Sequence, residues 1–328
     1  MRRLPYARYI PIFLLSFALF AAARSEKQLH LAPRFAGGER VRYRIETRTS
    51  SNEHTVTPII NPEGASQYEQ STSLILRLDV LNVQPNSRSS SETVRFRATF
   101  ELANSDSQAN AYAPEAAKFD DAVDNLQGQS FEFFIAPGNK LADVQGLGKI
   151  APDRDVAARV LSWVHVLFAP VDIPAEGVQI GQKWSNEHPL TDLPLTGVIW
   201  RNESRYLRNE SCAASSGVKN AASHGAQGDC AVLLTRFSIF RHGSDRSDAS
   251  PEPYIHNGLR TSGKWTGSGE SLDAISLASG LLVSSTQTAT QNMDYEIRSA
   301  SSNSRIHHTG RSTTQTEITL LPAASPKL

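Results

Sequence analysis

The amino-acid sequence predicts a mainly β fold of the α+β type: a large curved antiparallel sheet or half-barrel, with a main helix at about residues 153–168 and a shorter one at about 114–127 packed on it. Long segments alternate apolar with polar residues, which is the period of half-buried strands. Only one segment, 153–168, has a broad apolar stripe at helical spacing. The later strands are long, rich in Ser and Thr and only half apolar, which is typical of an antiparallel sheet with one wet face.

Three strands are predicted in the first part of the chain, at residues 39–50, 68–84 and 92–103. Each has apolar residues on one face and charged or polar residues on the other. In the second strand the apolar positions change parity, which predicts a β-bulge near Val80–Leu81.

The middle of the chain contains both predicted helices. In the shorter one, the apolar residues recur at helical spacing and Gly128 follows as a stop. A hairpin is then predicted at about 131–144. The main helix begins at Asp153 or Asp155 and ends before Pro170. Its apolar stripe consists of Val156, Val160, Trp163, Val164, Leu167 and Phe168.

Five further strands are predicted after the main helix. They lie at about 194–212, 230–241, 258–273, 281–298 and 304–321. Residues 24–328 are therefore expected to form a single β-rich domain. The alternative is two sheet-forming halves, at about 39–150 and 180–322, which the main helix joins.

Residues 1–23 have the layout of a secretory signal peptide, with a basic start, an apolar run and small residues before Arg24. The apolar run is about 14 residues long, which is short for a membrane span of roughly 20. We therefore expect an exported protein, periplasmic or extracellular, with no stable membrane span after cleavage. The alternative is an uncleaved N-terminal anchor.

The net charge of the chain is zero, with 33 basic and 33 acidic residues. Removing residues 1–23 removes Arg2, Arg3 and Arg8 and no acidic residue, so 30 basic and 33 acidic residues leave a net charge of −3. No segment forms a basic stripe, and no nucleic-acid partner is expected.

The two cysteines, Cys212 and Cys230, flank a Gly-, Ala- and Ser-rich loop between two predicted strands. In an oxidising compartment this arrangement predicts a disulfide at the base of a hairpin. Two free buried thiols, or a metal pair whose other ligands come from elsewhere, are the alternatives.

No residue is assigned a catalytic role, and neither a metal site nor a cofactor is predicted. His307 and His308 are adjacent on a predicted strand, so they face opposite sides and cannot share one metal ion. The sequence has no HExxH or GxSxG motif. Single carboxylates on the strands could pair as acid and base, but nothing in the sequence selects among them.

The tryptophans are the candidate ligand contacts. The simplest interpretation of their positions is core packing between sheet and helix. A more specific hypothesis is that some of them line a cavity for an apolar ligand between helix and sheet. The candidate cavity residues are Val160, Trp163, Leu167, Trp200 and Trp265.

The stretch from Gly128 to Trp184 resembles a family of uncharacterised exported bacterial proteins. That family has a hairpin with a Pro-Gly-Lys turn followed by Val-x-Gly, and later a Leu-Pro and Gly-x-x-Trp return. The matching residues are Gly128, Pro137, Gly138, Lys140, Val144, Gly146, Ile173, Pro174, Gly181 and Trp184. Ile173 replaces the usual Leu, and Asn139 lengthens the turn. The predicted architecture is also distantly similar to the half-barrels of periplasmic lipoprotein carriers, which is an analogy of fold alone.

Three functions remain open on the sequence alone. The first is a non-catalytic extracytoplasmic binding protein that holds a lipid or another apolar small molecule between sheet and helix. The second is a structural or interaction component of the cell envelope, which contacts an envelope protein through a sheet edge or the loop at 213–229. The third is a hydrolase of unknown type.

Overall fold

A computed structural model describes residues 28–31, 33–56, 66–85, 92–110, 114–168, 172–174, 176–191, 193–212, 228–302 and 304–322. The described residues form one open antiparallel sheet of eleven strands. The strands are β1 (Arg40–Val56), β2 (Ser66–Pro85), β3 (Glu92–Ala109), β4 (Ser130–Ala136), β5 (Lys140–Gln145), β6 (Lys183–Leu190), β7 (Val198–Ser211), β8 (Asp229–Arg241), β9 (Leu259–Ser276), β10 (Leu282–Ser299) and β11 (Arg305–Leu321). The described helices are α1 (Pro114–Asp124), α2 (Leu147–Ile150), α3 (Arg154–Phe168) and α4 (Glu252–His256). The predicted mainly β fold, a curved sheet carrying few helices, is confirmed.

The first and last strands of the chain are neighbours at the centre of the sheet. The strand order is β5-β4-β3-β2-β1-β11-β10-β9-β8-β7-β6. Strands β1 and β11 pair from Arg42–Leu321 to Val56–His307, with Ile45 opposite Ile318 and Thr49 opposite Thr314. The strands that precede α3 and those that follow it therefore belong to one continuous sheet.

The side-chain alternation divides the sheet into two faces. We call the face to which Val41, Tyr43 and Ile45 point the inner face, and the opposite one the outer face. These three residues are at most 8% exposed and belong to the main hydrophobic cluster. On the outer face, Arg42 and its neighbours form ion pairs with carboxylates, such as the 2.6 Å contact between Arg42 and Glu101.

Helix α3 covers the inner face at one end of the strands. Asp153 caps its N-terminus, since the carboxylate accepts hydrogen bonds from the backbone N–H groups of Asp155 (2.8 Å) and Val156 (3.2 Å). All six residues of the predicted apolar stripe are buried. At about 1.5–3 kcal/mol each, their burial contributes roughly 9–18 kcal/mol before entropy is subtracted.

Helix α1 lies beside the edge of β3 that β4 leaves unpaired. The Asp124 carboxylate accepts a hydrogen bond from the Ser105 backbone N–H (2.9 Å), and that of Asp120 accepts one from the Ser107 hydroxyl (2.9 Å). These contacts cover part of an edge that could otherwise pair with another chain.

The strand irregularity predicted in β2 is confirmed. The pairing of β2 with β3 shifts between Val80 and Asn82, which leaves Leu81 as the extra residue. Leu81 is 37% exposed. Residues 1–23, to which the signal peptide is assigned, lie outside the described residues. No helix in the described part of the chain is both long and apolar enough to cross a membrane.

Candidate functional site

Three of the five candidate cavity residues pack into the main core. Val160, Trp163 and Leu167 of α3 are 0%, 7% and 2% exposed. Beside them, the Phe168 ring contacts that of Phe96 at 5.0 Å between centroids. All three side chains therefore contribute to the core between helix and sheet.

Four grooves on the described residues lie elsewhere. Their volumes are about 320, 420, 590 and 430 Å³, and no residue of α3 lines any of the four. The first three are lined mainly by polar and charged side chains. The sequence-based expectation of a cavity beneath the helix therefore has no counterpart among these grooves.

The other two candidates, Trp200 and Trp265, lie on the same inner face but in a second hydrophobic cluster. Trp200 and Tyr206 are both on β7, and Tyr206 belongs to the main cluster. Six residues along a strand correspond to about 20 Å. The five candidates therefore belong to two hydrophobic clusters, because the strands are long enough to separate two apolar regions.

The second cluster is built from stacked rings with hydrogen-bonded indoles. Trp200 stacks on Phe237 at 4.2 Å between centroids and 16° between ring planes. Its indole N–H donates to the Asn202 side-chain oxygen at 2.6 Å. Trp265 likewise donates to Gln291 at 3.1 Å and is stacked against another ring of the face. These hydrogen bonds fix the orientation of both indoles.

Glycines of β9 make room for these rings on the inner face. A Cβ atom at Gly269 would lie 2.3 Å from the Phe237 ring and 2.1 Å from the Thr288 carbonyl oxygen. At Gly263 it would lie 2.5 Å from the Tyr295 Cα. The signal in the sequence was the spacing of Gly263, Gly267 and Gly269, which share one face of a strand. No role was predicted for these glycines.

A band of hydroxyl-bearing side chains lies between the two hydrophobic clusters. Its members occupy one row of directly paired positions across eight strands. From β3 to β7 the hydroxyl-bearing members are Ser105, Thr72, Thr47, Thr316, Ser271, Thr235 and Ser204, and the amide of Gln287 occupies the row on β10. Neighbouring hydroxyls bond to each other, for example Ser204 to Thr235 at 2.9 Å. On β7 to β10 this band separates the two hydrophobic clusters, whereas on β1 to β3 the inner face stays polar beyond it, as at Thr49 and Gln70.

Asp273 is a buried carboxyl group at the boundary of this band. It is 1% exposed and lies directly opposite Leu233 and Ser285. Hydroxyl groups of Ser285 (2.6 Å) and Ser271 (2.9 Å) donate to its two oxygens. Burial raises the pKa of Asp273 to about 6, although the two hydroxyl groups oppose this effect.

The two adjacent histidines of β11 have different partners. His307 contacts Asp294 at 2.8 Å, whereas His308, next along β11, contacts Thr55 at 2.9 Å. Within the described part of the chain, no group of three or more His, Cys, Asp or Glu side chains is arranged to hold a metal ion.

The predicted disulfide is present. Cys212 and Cys230 are bonded, with a Cα–Cα distance of 4.9 Å, and both are fully buried in the main cluster. Residues 213–227 of the loop between them, which was a candidate interaction surface, lie outside the described residues.

No protein-family model matches the sequence, and no curated protein matches it. Among solved structures, one similar chain comes from a study of lipid-protein interactions in lipovitellin, with 11% sequence identity and a TM-score of 0.42. The match covers 90% of the present chain and 27% of that chain. At this TM-score the similarity supports no conclusion about function.

Proposed function

We propose that the protein is a non-catalytic binding protein of an extracytoplasmic compartment, and that its ligand is an apolar or amphipathic small molecule such as a lipid. The proposed site is the second hydrophobic cluster of the inner face, around Trp200 and Trp265. The observation that carries the proposal is Trp200, a half-buried indole of the inner face that stacks on Phe237 and is held by Asn202.

Several apolar side chains of this cluster are only partly buried and would lose further water-accessible surface to a ligand. They are Leu190, Leu193, Trp200, Met293 and Tyr295. Burying apolar surface is worth about 25 cal/mol per Å². Aromatic rings held by stacking and by hydrogen bonds lose little conformational freedom on binding, which favours affinity.

Polar groups next to the cluster suit the other end of an amphipathic ligand. Among the described residues, the side-chain NH2 groups of Asn202 and Gln291 have no acceptor, while their oxygens hold the indoles. Asn202 lies two residues from Ser204 of the hydroxyl band, and Gln291 lies four residues along β10 from the same row. An apolar patch with a few fixed donors and acceptors is the usual composition of a small-molecule site.

This proposal moves the ligand from beneath α3 to the far end of the strands. A ligand beneath α3 would have to displace Val160 and Phe168, which are 0% and 3% exposed. The compartment is proposed from the signal-like residues 1–23 and is in keeping with the Cys212–Cys230 disulfide.

The test is a titration with Nile red, an uncharged apolar dye, followed by fluorescence. We expect Trp200→Ala to weaken binding about tenfold, because the loss of a large ring surface costs on the order of 1.4 kcal/mol or more. Phe240→Ala is the matched control, since Phe240 is a partly exposed ring of neighbouring β8 on the outer face. Far-UV circular dichroism verifies that both variants fold.

Equal dye affinity in the two variants would refute the assigned site. Native mass spectrometry of the protein purified from its exporting host supplies an independent readout. A bound lipid that Trp200→Ala lacks and Phe240→Ala retains would support the proposal. Capture of an envelope protein with no bound small molecule would favour the interaction function instead.

A further inference from the structure

A row of four outer-face residues near the edge of the sheet combines charge with exposed apolar surface. Lys183 of β6 lies directly opposite Arg205 of β7, which lies opposite Leu234 of β8. Leu234 in turn lies opposite Leu272 of β9, whose side chain is 43% exposed. Two cations are therefore followed by two leucines along one line across four strands.

The pairing of Lys183 with Arg205 is unfavourable in the structure as it stands. Like charges directly opposite each other in an antiparallel pair are destabilising. Nearby cations have carboxylate partners, such as Arg208 with Glu210 at 2.6 Å. Within the described part of the chain, neither Lys183 nor Arg205 has a carboxylate within ion-pair distance.

A groove of about 430 Å³ surrounds these two cations. Its lining residues are Lys183, Trp184, Ser185, Glu203, Ser204, Arg205, Leu207, Leu234 and Arg236. Three of these side chains are cationic and one, Glu203, is anionic. Arg236 also contacts Glu270 at 3.7 Å. The groove therefore carries net positive charge beside an apolar wall.

We propose that this groove binds a single-chain amphiphile with an anionic head, specifically the free carboxylate of a fatty acid. The carboxylate lies between Lys183 and Arg205, where it removes their mutual repulsion and accepts hydrogen bonds from both. The hydrocarbon chain lies along Leu207, Leu234 and Leu272. This site is on the opposite face from the aromatic cluster and does not depend on the proposal made for that cluster.

The charge count favours a small amphiphile over a membrane surface. Sequence segments that bind anionic membranes carry about four to eight clustered Lys or Arg residues. The groove has three cations and an anionic Glu203 among them. Its volume also lies within the range of small-molecule sites, roughly 300–1,000 Å³.

Isothermal titration calorimetry with decanoate and with decanol tests the assignment. We expect one decanoate to bind per chain, and the uncharged decanol to bind at least tenfold more weakly. The double variant K183Q/R205Q should lose tenfold or more of the decanoate affinity, since hydrogen bonds to charged groups are among the stronger ones. R208Q is the matched control, because Arg208 is a cation of the same strand that is already paired.

A second readout separates ligand recognition from simple loss of folding. Because the double variant removes a like-charge contact, its ligand-free form should unfold at an unchanged or slightly higher temperature than the original protein. Equal decanoate affinity in K183Q/R205Q and R208Q overturns the proposal. Sedimentation with phosphatidylglycerol vesicles, without stoichiometric decanoate binding, also overturns it and assigns the cations to a membrane surface.

Discussion

The buried carboxyl group of Asp273 gives a prediction about how stability depends on pH. Its pKa is raised from 3.8 to about 6 in the folded protein, chiefly by burial. The folded state therefore holds this proton more tightly than the unfolded state does. The free energy of unfolding therefore falls as the pH rises from about 4 to about 6.

The size of this effect follows from the pKa difference. A shift of about 2 pH units corresponds to about 3 kcal/mol of destabilisation once Asp273 is fully ionised. About 2 kcal/mol of this arises between pH 4.5 and 7.5, because the unfolded carboxyl is already largely ionised at pH 4.5.

Asp273→Asn removes the titration while keeping the side-chain shape. The amide oxygen can accept from only one of the two hydroxyl groups, since Ser285 and Ser271 donate to different carboxylate oxygens, and the NH2 group faces the other hydroxyl with a desolvation cost of about 1–3 kcal/mol if that hydroxyl does not accept from it. We therefore expect the variant to be as stable as the original protein, or more stable, at pH 7.5 and less stable at pH 4.5. Urea unfolding at the two pH values measures the difference.

Glu132→Gln is the control of opposite sign. A hydrogen bond from Arg97 lowers the pKa of Glu132, assisted by Arg95 and opposed by partial burial. Its stabilising effect is present at neutral pH and disappears as the pH falls through the lowered pKa. If Asp273→Asn changes stability by the same amount at pH 4.5 and 7.5, the explanation by burial is wrong.

Two further predictions concern the packing of β9 and the disulfide. Gly269→Ala should destabilise the protein by several kcal/mol in a urea titration, because the new methyl group would lie 2.1 Å from a backbone carbonyl oxygen. Gly148→Ala is the control and should be close to neutral, because its methyl group would have open space. The double variant C212S/C230S should have a free energy of unfolding about 3 kcal/mol lower than the original protein, because the disulfide joins two residues 18 positions apart and so restricts the unfolded chain. A reductant should then lower the melting temperature of the original protein and leave that of the double variant unchanged.

Most element positions could be predicted from the sequence because they depend on local periodicity, whereas the short elements β6, α2 and α4 were not predicted. The alternation of Val41, Tyr43 and Ile45 fixes both the strand and its buried face. The stripe that includes Val160 and Leu167 likewise fixes α3 and the side that it buries. The disulfide was predictable for a similar reason, since both cysteines flank one loop.

The candidate site was only half predictable. The sequence allowed the tryptophans to be selected as large apolar side chains. It did not predict which of them lie together, because that depends on which strands are neighbours in the sheet. Trp200 and Trp265 come together through the pairing of β7, β8 and β9, which also places Phe237 over Gly269.

Periodicity and the short loop between the cysteines were enough to predict the fold class, the buried faces of β1, β2, β3 and α3, and the bond between Cys212 and Cys230. The pairing of β1 with β11, the separation of the two hydrophobic clusters and the contact of Lys183 with Arg205 depend instead on the tertiary structure. Register and strand order are set by the total of contacts between residues as much as 279 positions apart, as in the pair Arg42 and Leu321. No local pattern contains that information.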